Sequence, residues 1–596
     1  MKKHYETHVE DTDKLISVAG PILEYKSWYE QYRKLMEEQA QRKYGLYTPT
    51  SEGDEDDFPS ISGMIARYSA LGLTNEQMKE NPVWVDKTGN GHDLQLKNFL
   101  WGEMRGVGGY KLNWGDFSIW GNYITQGAYG TGEVTDNIIH ITSVKTNNAL
   151  FETKASLKSV EYKVLIKGLT DDIYLRYGVF NDGKELWTEI KNDGIYTLPS
   201  YDYDSRYNMK WKVMSQTYPI DCNITIEQLP LYPGFILGDG VDDFAVTEKE
   251  LNFEDTYTVY TAFIPFQDDP TRNMILCGAD SKKTFSMQYS SLVYVSFIAG
   301  NNYYINANFV NGFNLFACKR NGNNICIKNL LTNKVVTGTC GDWVENAGLY
   351  YLWKNATYAS FARAAIAGQT ICNGYFSTDE DDEKVLDWYK KQYPWLFPDQ
   401  AWTVVGKTNE DEDRATIANI TGNGNDLVLS NFGFAEGSGY NEEGQYAGYL
   451  VTDGVDDMII SSVFKMGKDF TVVGEWVLLQ NINTSSLRKD GNFVIRNHEE
   501  GISMTINRTS PCIRVHDKSL KAFCSNGAIY KSDWTEQIDT TPQSSTGGSS
   551  QLMIAGRERT MEYDKIAFKN LAIYPTVLSK DDCIKAYNYL QTLKAK

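Results

Sequence analysis

The sequence contains an internal repeat, which restricts the possible folds more than any other feature. Residues 86–99 (DKTGNGHDLQLKNF) and 419–432 (NITGNGNDLVLSNF) are identical at nine of fourteen positions, and they are 333 residues apart. The segment DGVDDF at 239–244 returns as DGVDDM at 453–458, with an offset of 214 residues. Two sequence landmarks therefore occur twice in the same order.

A third landmark closes each unit and allows the domain organisation to be read from the offsets. FARAAI at 361–366 resembles FKNLAI at 568–573, with an offset of 207 residues. The first two offsets differ by 119 residues, so the first unit has room for one small domain inserted between its first two landmarks. A period near 200 residues is too long for a solenoid repeat, so the sequence predicts two tandem domains.

The residues around the landmarks are typical of β-strands. Thr-Gly-Asn-Gly accepts positive φ at little cost and predicts a tight turn. The runs Thr256–Phe263 and Phe470–Trp476 are rich in β-branched and aromatic residues, which favour strands. Aromatic residues make up 13 % of the chain, and glycine (49) far outnumbers proline (15). We therefore predict a mainly β protein.

Each unit is predicted to end in a short helix. Thr378 is a predicted N-cap of a helix that Pro394 stops, and Ser579 begins a capping-box-like sequence at the start of the other. Between the first two landmarks of the first unit, alternating segments near 137–144, 160–166, 173–180 and 222–229 predict a separate jelly-roll-like β-sandwich.

The first 60 residues differ from the rest. Apolar residues recur at helical spacing from Tyr25 to Met36, which predicts an amphipathic helix, and the acidic run Glu52–Asp57 predicts a linker. Together these features predict four parts: a helical attachment segment with its linker at 1–60, a discontinuous first sandwich at 61–102 and 232–397, an inserted β-sandwich at 103–231, and a second sandwich at 398–596.

The order of the three landmarks resembles that in the laminin-G/concanavalin-A-like lectin superfamily. The resemblance covers both repeated units and implies sandwiches of two antiparallel sheets, often used to bind glycans or proteins. The first unit, including Ala66–Asn75, Thr88–Asp93 and Leu229–Gly234, is also similar to virion proteins of gut bacteriophages, including crAss-like phages. That resemblance implies a surface component of the virion, such as a head or tail fibre, made in the host cytoplasm.

Composition excludes several function classes. The net charge of −19 argues against binding nucleic acid or an anionic membrane. We expect no membrane span, because no segment approaches ~20 consecutive apolar residues. We also expect no secretory signal, because the acidic N-terminus lacks an apolar region. The nine scattered cysteines include no CxxC pair, so we expect free thiols.

The acidic residues of the DGVDD segments are candidate calcium ligands, namely Asp242, Asp243, Asp456 and Asp457. Adjacent residues in a strand point to opposite faces, which argues against a shared ion. We therefore expect these side chains to accept hydrogen bonds from backbone amides in the adjoining turn, with no metal and no cofactor. Asp93 and Asp426 are expected to fix the TGNG turns in the same way.

No catalytic motif is present, and we expect the protein not to be an enzyme. None of the six histidines has metal-ligand spacing, and His92 is replaced by Asn425 in the other copy. The aromatic residues near the insertion point offer either core packing or a platform for a sugar ring. These candidate glycan contacts are Trp101, Trp114, Trp120 and Tyr123.

These observations lead to one expected function and two alternatives. We expect a virion fibre or decoration that attaches to capsid or tail proteins through its N-terminal segment, forms a homotrimer and displays glycan-binding domains with added avidity. One alternative is a bacterial glycan-binding protein or an accessory region of a polysaccharide hydrolase. The other is a capsid decoration without a ligand.

Overall fold

Antiparallel β-strands make up most of the structure, which confirms the predicted fold class. In this computed structural model, the residues described are 57–101, 104–111, 114, 130–135, 137–147, 150–152, 162–181, 184–198, 210–266, 274–279, 285–290, 294–299, 303–308, 312–343, 347–354, 361–435, 437–480, 485–498, 501–506, 512–539, 547–557 and 562–595. The predicted N-terminal helix lies outside them.

The first sandwich consists of two eight-stranded sheets with one shared core. One sheet has the order Lys334–Thr339, Asn324–Asn329, Asn314–Asn321, Thr256–Pro265, Arg363–Asn373, Ile236–Asp239 and Gly106–Val107, with Met64–Ser69 paired to Arg363–Asn373. The facing sheet has the order Val83–Trp84, Leu94–Lys97, Phe244–Thr247, Tyr350–Leu352, Met274–Ala279, Ser286–Ser290, Tyr294–Ala299 and Tyr303–Asn308. A two-stranded pair joins Leu251–Asn252 to Ala347–Gly348.

The second sandwich repeats this arrangement with two more eight-stranded sheets. One has the order Gly439–Asn441, Tyr449–Val451, Ile566–Tyr574, Thr471–Leu478, Leu520–Cys524, Ala528–Lys531 and Glu536–Ile538, with Gln400–Thr403 paired to Ile566–Tyr574. The other has the order Thr416–Ile417, Leu427–Ser430, Met458–Met466, Gly548–Ile554, Ser485–Lys489, Phe493–His498, Gly501–Ile506 and Ile513–Val515. Gly556–Arg557 pairs with Glu562–Tyr563.

The insert is a smaller sandwich with its own core. Its five-stranded sheet has the order Gly194–Leu198, Tyr162–Lys167, Ile220–Gln228, Ile138–Val144 and Gly130–Val134. Its four-stranded sheet has the order Lys184–Ile190, Ile173–Asn181, Lys210–Ser215 and Leu150–Glu152. Alternate residues of each strand face the core, as period-2 patterning requires.

The sheets show where the insert departs from the first sandwich. Gly106–Val107, which the sequence-based division assigns to the insert, pairs with Ile236–Asp239 of the first sandwich. Backbone bonds from Leu231 and Tyr232 to Gly109 and Gly108 continue this pairing. The insert therefore begins a few residues later than residue 103, and the other predicted boundaries stay predictions.

Three α-helices are present among the described residues: α1 (Asn75–Glu80), α2 (Asp379–Gln392) and α3 (Lys580–Leu590). The Thr378 side chain accepts a hydrogen bond from the amide of Asp381 at the start of α2, and Ser579 does the same for Asp582 at the start of α3. Both predicted caps are confirmed. A 3₁₀ turn at Pro394–Leu396 follows α2 and leads into the second sandwich.

One apolar layer, which we call the central layer, joins the two sandwiches. Helices α2 and α3 lie in it, with the outer faces of one sheet from each sandwich packed around them. Its buried members are Tyr260, Ala262, Phe313, Leu315, Ala365, Val385, Tyr389, Tyr393, Trp395, Val473, Ala522, Ala572, Tyr574, Cys583, Tyr587, Tyr589 and Leu590. Two hydrogen bonds cross the layer, from the Tyr589 hydroxyl to the Phe313 amide (2.7 Å, the amide donating) and from Tyr574 to the Trp395 carbonyl (2.9 Å).

A buried charge network fixes α2 to the first sandwich. Asp382 is 2 % exposed, and its Oδ2 lies 2.8 Å from Lys319 Nζ and 3.0 Å from Lys328 Nζ. Its Oδ1 accepts hydrogen bonds from the hydroxyls of Tyr260 (2.9 Å) and Ser377 (3.2 Å). Both carboxylate oxygens are therefore satisfied, as a buried charge requires.

The insert contacts the second sandwich through its five-stranded sheet. Lys163 Nζ lies 3.7 Å from the centre of the Tyr587 ring on α3 and donates a hydrogen bond to Asn588 Oδ1 (3.2 Å). Burial opposes ionisation of the nearby Glu475, but the positive charges of Lys521, Lys569 and Lys163 outweigh it and lower the pKa of Glu475 to about 2. This carboxylate is therefore charged and held among cations at neutral pH.

The network around Asp382 should be the most sensitive point of α2. We expect Asp382→Ala to lower the free energy of unfolding by about 3–5 kcal/mol, because it leaves two buried lysines without their shared carboxylate. The matched control is Glu380→Ala on the same helix turn, which breaks an exposed pair with Lys384 (2.7 Å) and should cost less than about 0.5 kcal/mol. Urea unfolding measures both, and equal losses would contradict the assignment.

Glu475 should also contribute to acid unfolding. Because its folded pKa lies below its ordinary value, its stabilisation is present above about pH 5 and is lost as the pH falls towards about 2. We expect Glu475→Gln to remove roughly 3 kcal/mol at neutral pH and to flatten the pH dependence of the unfolding midpoint in that range. Glu383→Gln, at an exposed position of α2, is the control; a pH dependence of the Glu475 variant identical to that of the parent protein would refute the prediction.

Candidate functional site

The first DGVDD segment forms a tight acidic turn. Oδ1 of Asp239 accepts hydrogen bonds from the amides of Val241 (2.7 Å), Asp242 (3.3 Å) and Asp243 (3.4 Å). Oδ2 of Asp243 accepts one from the Asp239 amide (2.9 Å). Gly240 has φ +78°, which few side chains tolerate. These contacts confirm the predicted structural role of the acidic side chains.

The second DGVDD segment forms the same turn. Oδ1 of Asp453 accepts hydrogen bonds from the amides of Val455 (2.7 Å) and Asp456 (3.3 Å), and Oδ2 of Asp457 accepts one from the Asp453 amide (2.8 Å). Here Oδ1 of Asp457 also accepts a hydrogen bond from the Ser438 hydroxyl (3.1 Å). Both oxygens of the buried Asp457 are thus satisfied.

The geometry changes one argument against a metal at these turns. Asp242 and Asp243 precede the strand that begins at Phe244, so the alternation of strand side chains does not separate them. Ligand atoms from Asp239, Asp242 and Asp243 lie within 4.8 Å of one another, as do those of the equivalent trio Asp453, Asp456 and Asp457. The spacing permits a shared cation, and the premise of strand alternation was wrong.

The TGNG turns are fixed by the aspartates that the sequence singles out. Asp93 Oδ1 accepts a hydrogen bond from the Asp86 amide, and Asp426 Oδ1 accepts one from the Asn419 amide, both at 2.8 Å. The predicted role of Asp93 and Asp426 is therefore confirmed. Asn425, the counterpart of His92, donates a hydrogen bond to Gln400 and accepts one from Ser462.

The predicted glycan contacts have separate outcomes. Trp114 has no exposed surface and packs edge-on against Tyr162 in the insert core (6.1 Å between ring centres), so it presents no face to a sugar and serves the core alternative. Trp101 is partly buried and stacks on Phe99 at 5.3 Å. The glycan contact at Trp101 stays a prediction, and Trp120 and Tyr123 lie outside the described residues.

A different aromatic residue lies on an open sheet face of the insert. Trp187 is 36 % exposed on the edge strand Lys184–Ile190, directly opposite Gly178 of the next strand. A Cβ atom at Gly178 would lie 2.8 Å from the indole ring, so only glycine lets the ring lie this close to the strand. The other face of an indole held in this way is available to stack on an apolar sugar face.

Polar side chains surround this indole, and we call the group the Trp187 face: Tyr174, Arg176, Trp187, Glu189, Lys191 and Lys212. Cross-strand register places Glu189 opposite Arg176, and Arg176 Nε donates a hydrogen bond to Glu189 Oε1 (3.0 Å). Lys191 Nζ lies 3.2 Å from Glu189 Oε2 and 5.6 Å from the Tyr174 ring centre. Sequence analysis missed this face, although the alternation of Ile173–Asn181 and the single Gly178 were visible signals.

A cleft of about 360 Å³ lies at the edge of the central layer. Its floor is apolar and includes Phe313 and Ile420, while Lys390, Asp399 and Asn423 line its rim. The Asn423 amide donates a hydrogen bond to the Asp399 carbonyl (2.8 Å), which ties the second TGNG turn to the rim. The volume is within the range of small-ligand sites.

All nine cysteines are free thiols, and most are buried, as predicted. None of the helices in the described part of the chain is long and apolar enough to cross a membrane.

Comparison with known proteins gives no family. No protein-family model and no curated protein matches the sequence. Among solved structures, the binding domain of botulinum neurotoxin DC in complex with rat synaptotagmin II is 8 % identical and covers 58 % of this chain and 90 % of that one (TM-score 0.26). The same domain in complex with SialylT is 9 % identical and covers 55 % and 87 % (TM-score 0.23). The binding domain of serotype C1 is 8 % identical and covers 56 % and 88 % (TM-score 0.25). Likeness at this level carries no conclusion about this chain.

The two tryptophans of the insert should behave differently. We expect Trp114→Ala to lower the stability of the insert by about 3–5 kcal/mol, because it leaves a cavity in the core. Trp187→Ala should cost much less, because its ring is partly exposed. Hydrogen exchange of the insert peptides measures both. Unchanged exchange in the Trp114 variant would contradict the core assignment.

Proposed function

We propose that this protein is a structural component of a virion surface, a head fibre or related fibre or decoration, that displays lectin-like domains and binds host or environmental glycans. The virion role is supported by the resemblance of the first unit to gut-phage virion proteins. In this proposal residues 1–60 attach to capsid or tail proteins, and the chain forms a homotrimer.

The observation that carries glycan binding is the Trp187 face. Sugar-binding sites combine an aromatic platform with polar groups that reach the hydroxyls. The indole of Trp187 supplies the platform, and Arg176 and Glu189 supply donors and acceptors beside it. Avidity from several copies held at fixed spacing would compensate for a weak single site. Ligand binding by display, without catalysis, is the activity proposed.

The test is a glycan array probed with the full chain, together with its mass in solution. We expect a trimer that binds a subset of glycans, and binding reduced about tenfold or more in Trp187→Ala, because stacking is lost. Gly178→Ala should weaken binding as well, because the added methyl displaces the indole while strand geometry is kept.

Control variants locate the site. Asp399→Asn on the cleft rim and Trp101→Ala should leave binding unchanged. Loss of binding in either one, with Trp187→Ala unaffected, would move the glycan site to that position. A monomer that binds no glycan would refute the proposal. Release of reducing sugar that a single Asp or Glu variant abolishes would instead favour a hydrolase.

A further inference from the structure

The two DGVDD turns differ in the residue that faces them. Arg105 stands 333 residues before Ser438, at the same offset as the TGNG repeat, and each precedes a short strand, Gly106–Val107 or Gly439–Asn441. Ser438 donates a hydrogen bond to Asp457 Oδ1. Arg105 instead places Nη1 3.6 Å from Oδ2 of Asp239, which is beyond hydrogen-bond distance.

This replacement leaves one buried oxygen unsatisfied. Asp243 has no exposed surface, and its Oδ1 has no hydrogen-bond partner within the described part of the chain. Burial, together with the charge of Asp239, raises the pKa of Asp243 to about 7. An unpaired buried carboxylate oxygen is costly, so this geometry favours a positively charged ligand at the atom.

The surrounding atoms suit a hard cation. Asp239 and Asp242 bring their carboxylates within 4.8 Å of that of Asp243, and Arg105 offsets one of three negative charges. Asp239 keeps Oδ2 for a ligand, because Oδ1 accepts the three turn amides. Asp242 is exposed, so water can complete the coordination. Calcium binds six to eight oxygen atoms and accepts such mixed sets.

We propose that the first DGVDD turn binds one calcium ion through Asp239, Asp242 and Asp243, and that the second turn does not. With three protein carboxylates and an arginine nearby, the site is weak, with a Kd of about 10⁻⁴ to 10⁻³ M. Arg105 is 34 % exposed and forms no hydrogen bond to the cluster, so its side chain can move aside. In the second turn, Ser438 already satisfies Asp457.

The test is calorimetric titration of the chelator-treated full chain with calcium chloride through the millimolar range. We expect one binding event per chain. Asp242→Asn should weaken it about tenfold, because one charged ligand is lost from an exposed position where folding is not at risk. Asp456→Asn, the same change in the second turn, should leave it unchanged.

A second pair of variants examines the buried ligand. Asp243→Asn should abolish binding; its amide oxygen still accepts the Asp239 amide, and unchanged circular dichroism would show that the fold is kept. Asp457→Asn should bind like the parent protein. Absence of binding in the parent protein overturns the proposal. So does loss of binding in the second-turn variants with the first-turn variants unaffected.

Discussion

The central layer is the constraint on which the rest of the structure depends. Each sandwich has an outer sheet face that is apolar, and an exposed face of that size would be unstable in water. The short helices α2 and α3 cover these faces and also lie against one another's sandwich, as the Tyr589–Phe313 bond shows. Neither sandwich can leave the other without exposing tyrosine and tryptophan side chains that belong to both.

This shared layer assigns different roles to the two sheets of the insert. The five-stranded sheet contributes Lys163 and Ile195 to contacts with the second sandwich, and Glu475 draws its charge partners from both sides. The four-stranded sheet carries the Trp187 face and is left open. A domain attached by one sheet and open on the other presents a ligand platform at a fixed position relative to both sandwiches, which a flexible tether would not do.

Sequence predicted those features that depend on local chemistry. The repeated landmarks identified equivalent strands, and Thr378 and Ser579 marked the helix starts because a hydroxyl before an acidic turn caps a helix in almost any context. It failed where the outcome depends on distant partners. Burial of Trp114 requires Tyr162, and the exposure of Trp187 requires Gly178 in the neighbouring strand. The side chains of Asp242 and Asp243 were assigned by strand alternation, although the strand begins one residue later.

The comparison of the two acidic turns shows why a repeated motif need not have a repeated role. The backbone of DGVDD is fixed by its own first and last carboxylates in both copies, so the turn forms whatever lies beside it. What differs is the residue 333 positions apart, a serine in one copy and an arginine in the other. A serine hydroxyl satisfies a single carboxylate oxygen and closes the site. An arginine at a distance neutralises part of the charge and leaves that oxygen unpaired, so the chemistry of the turn is decided by a side chain outside the motif.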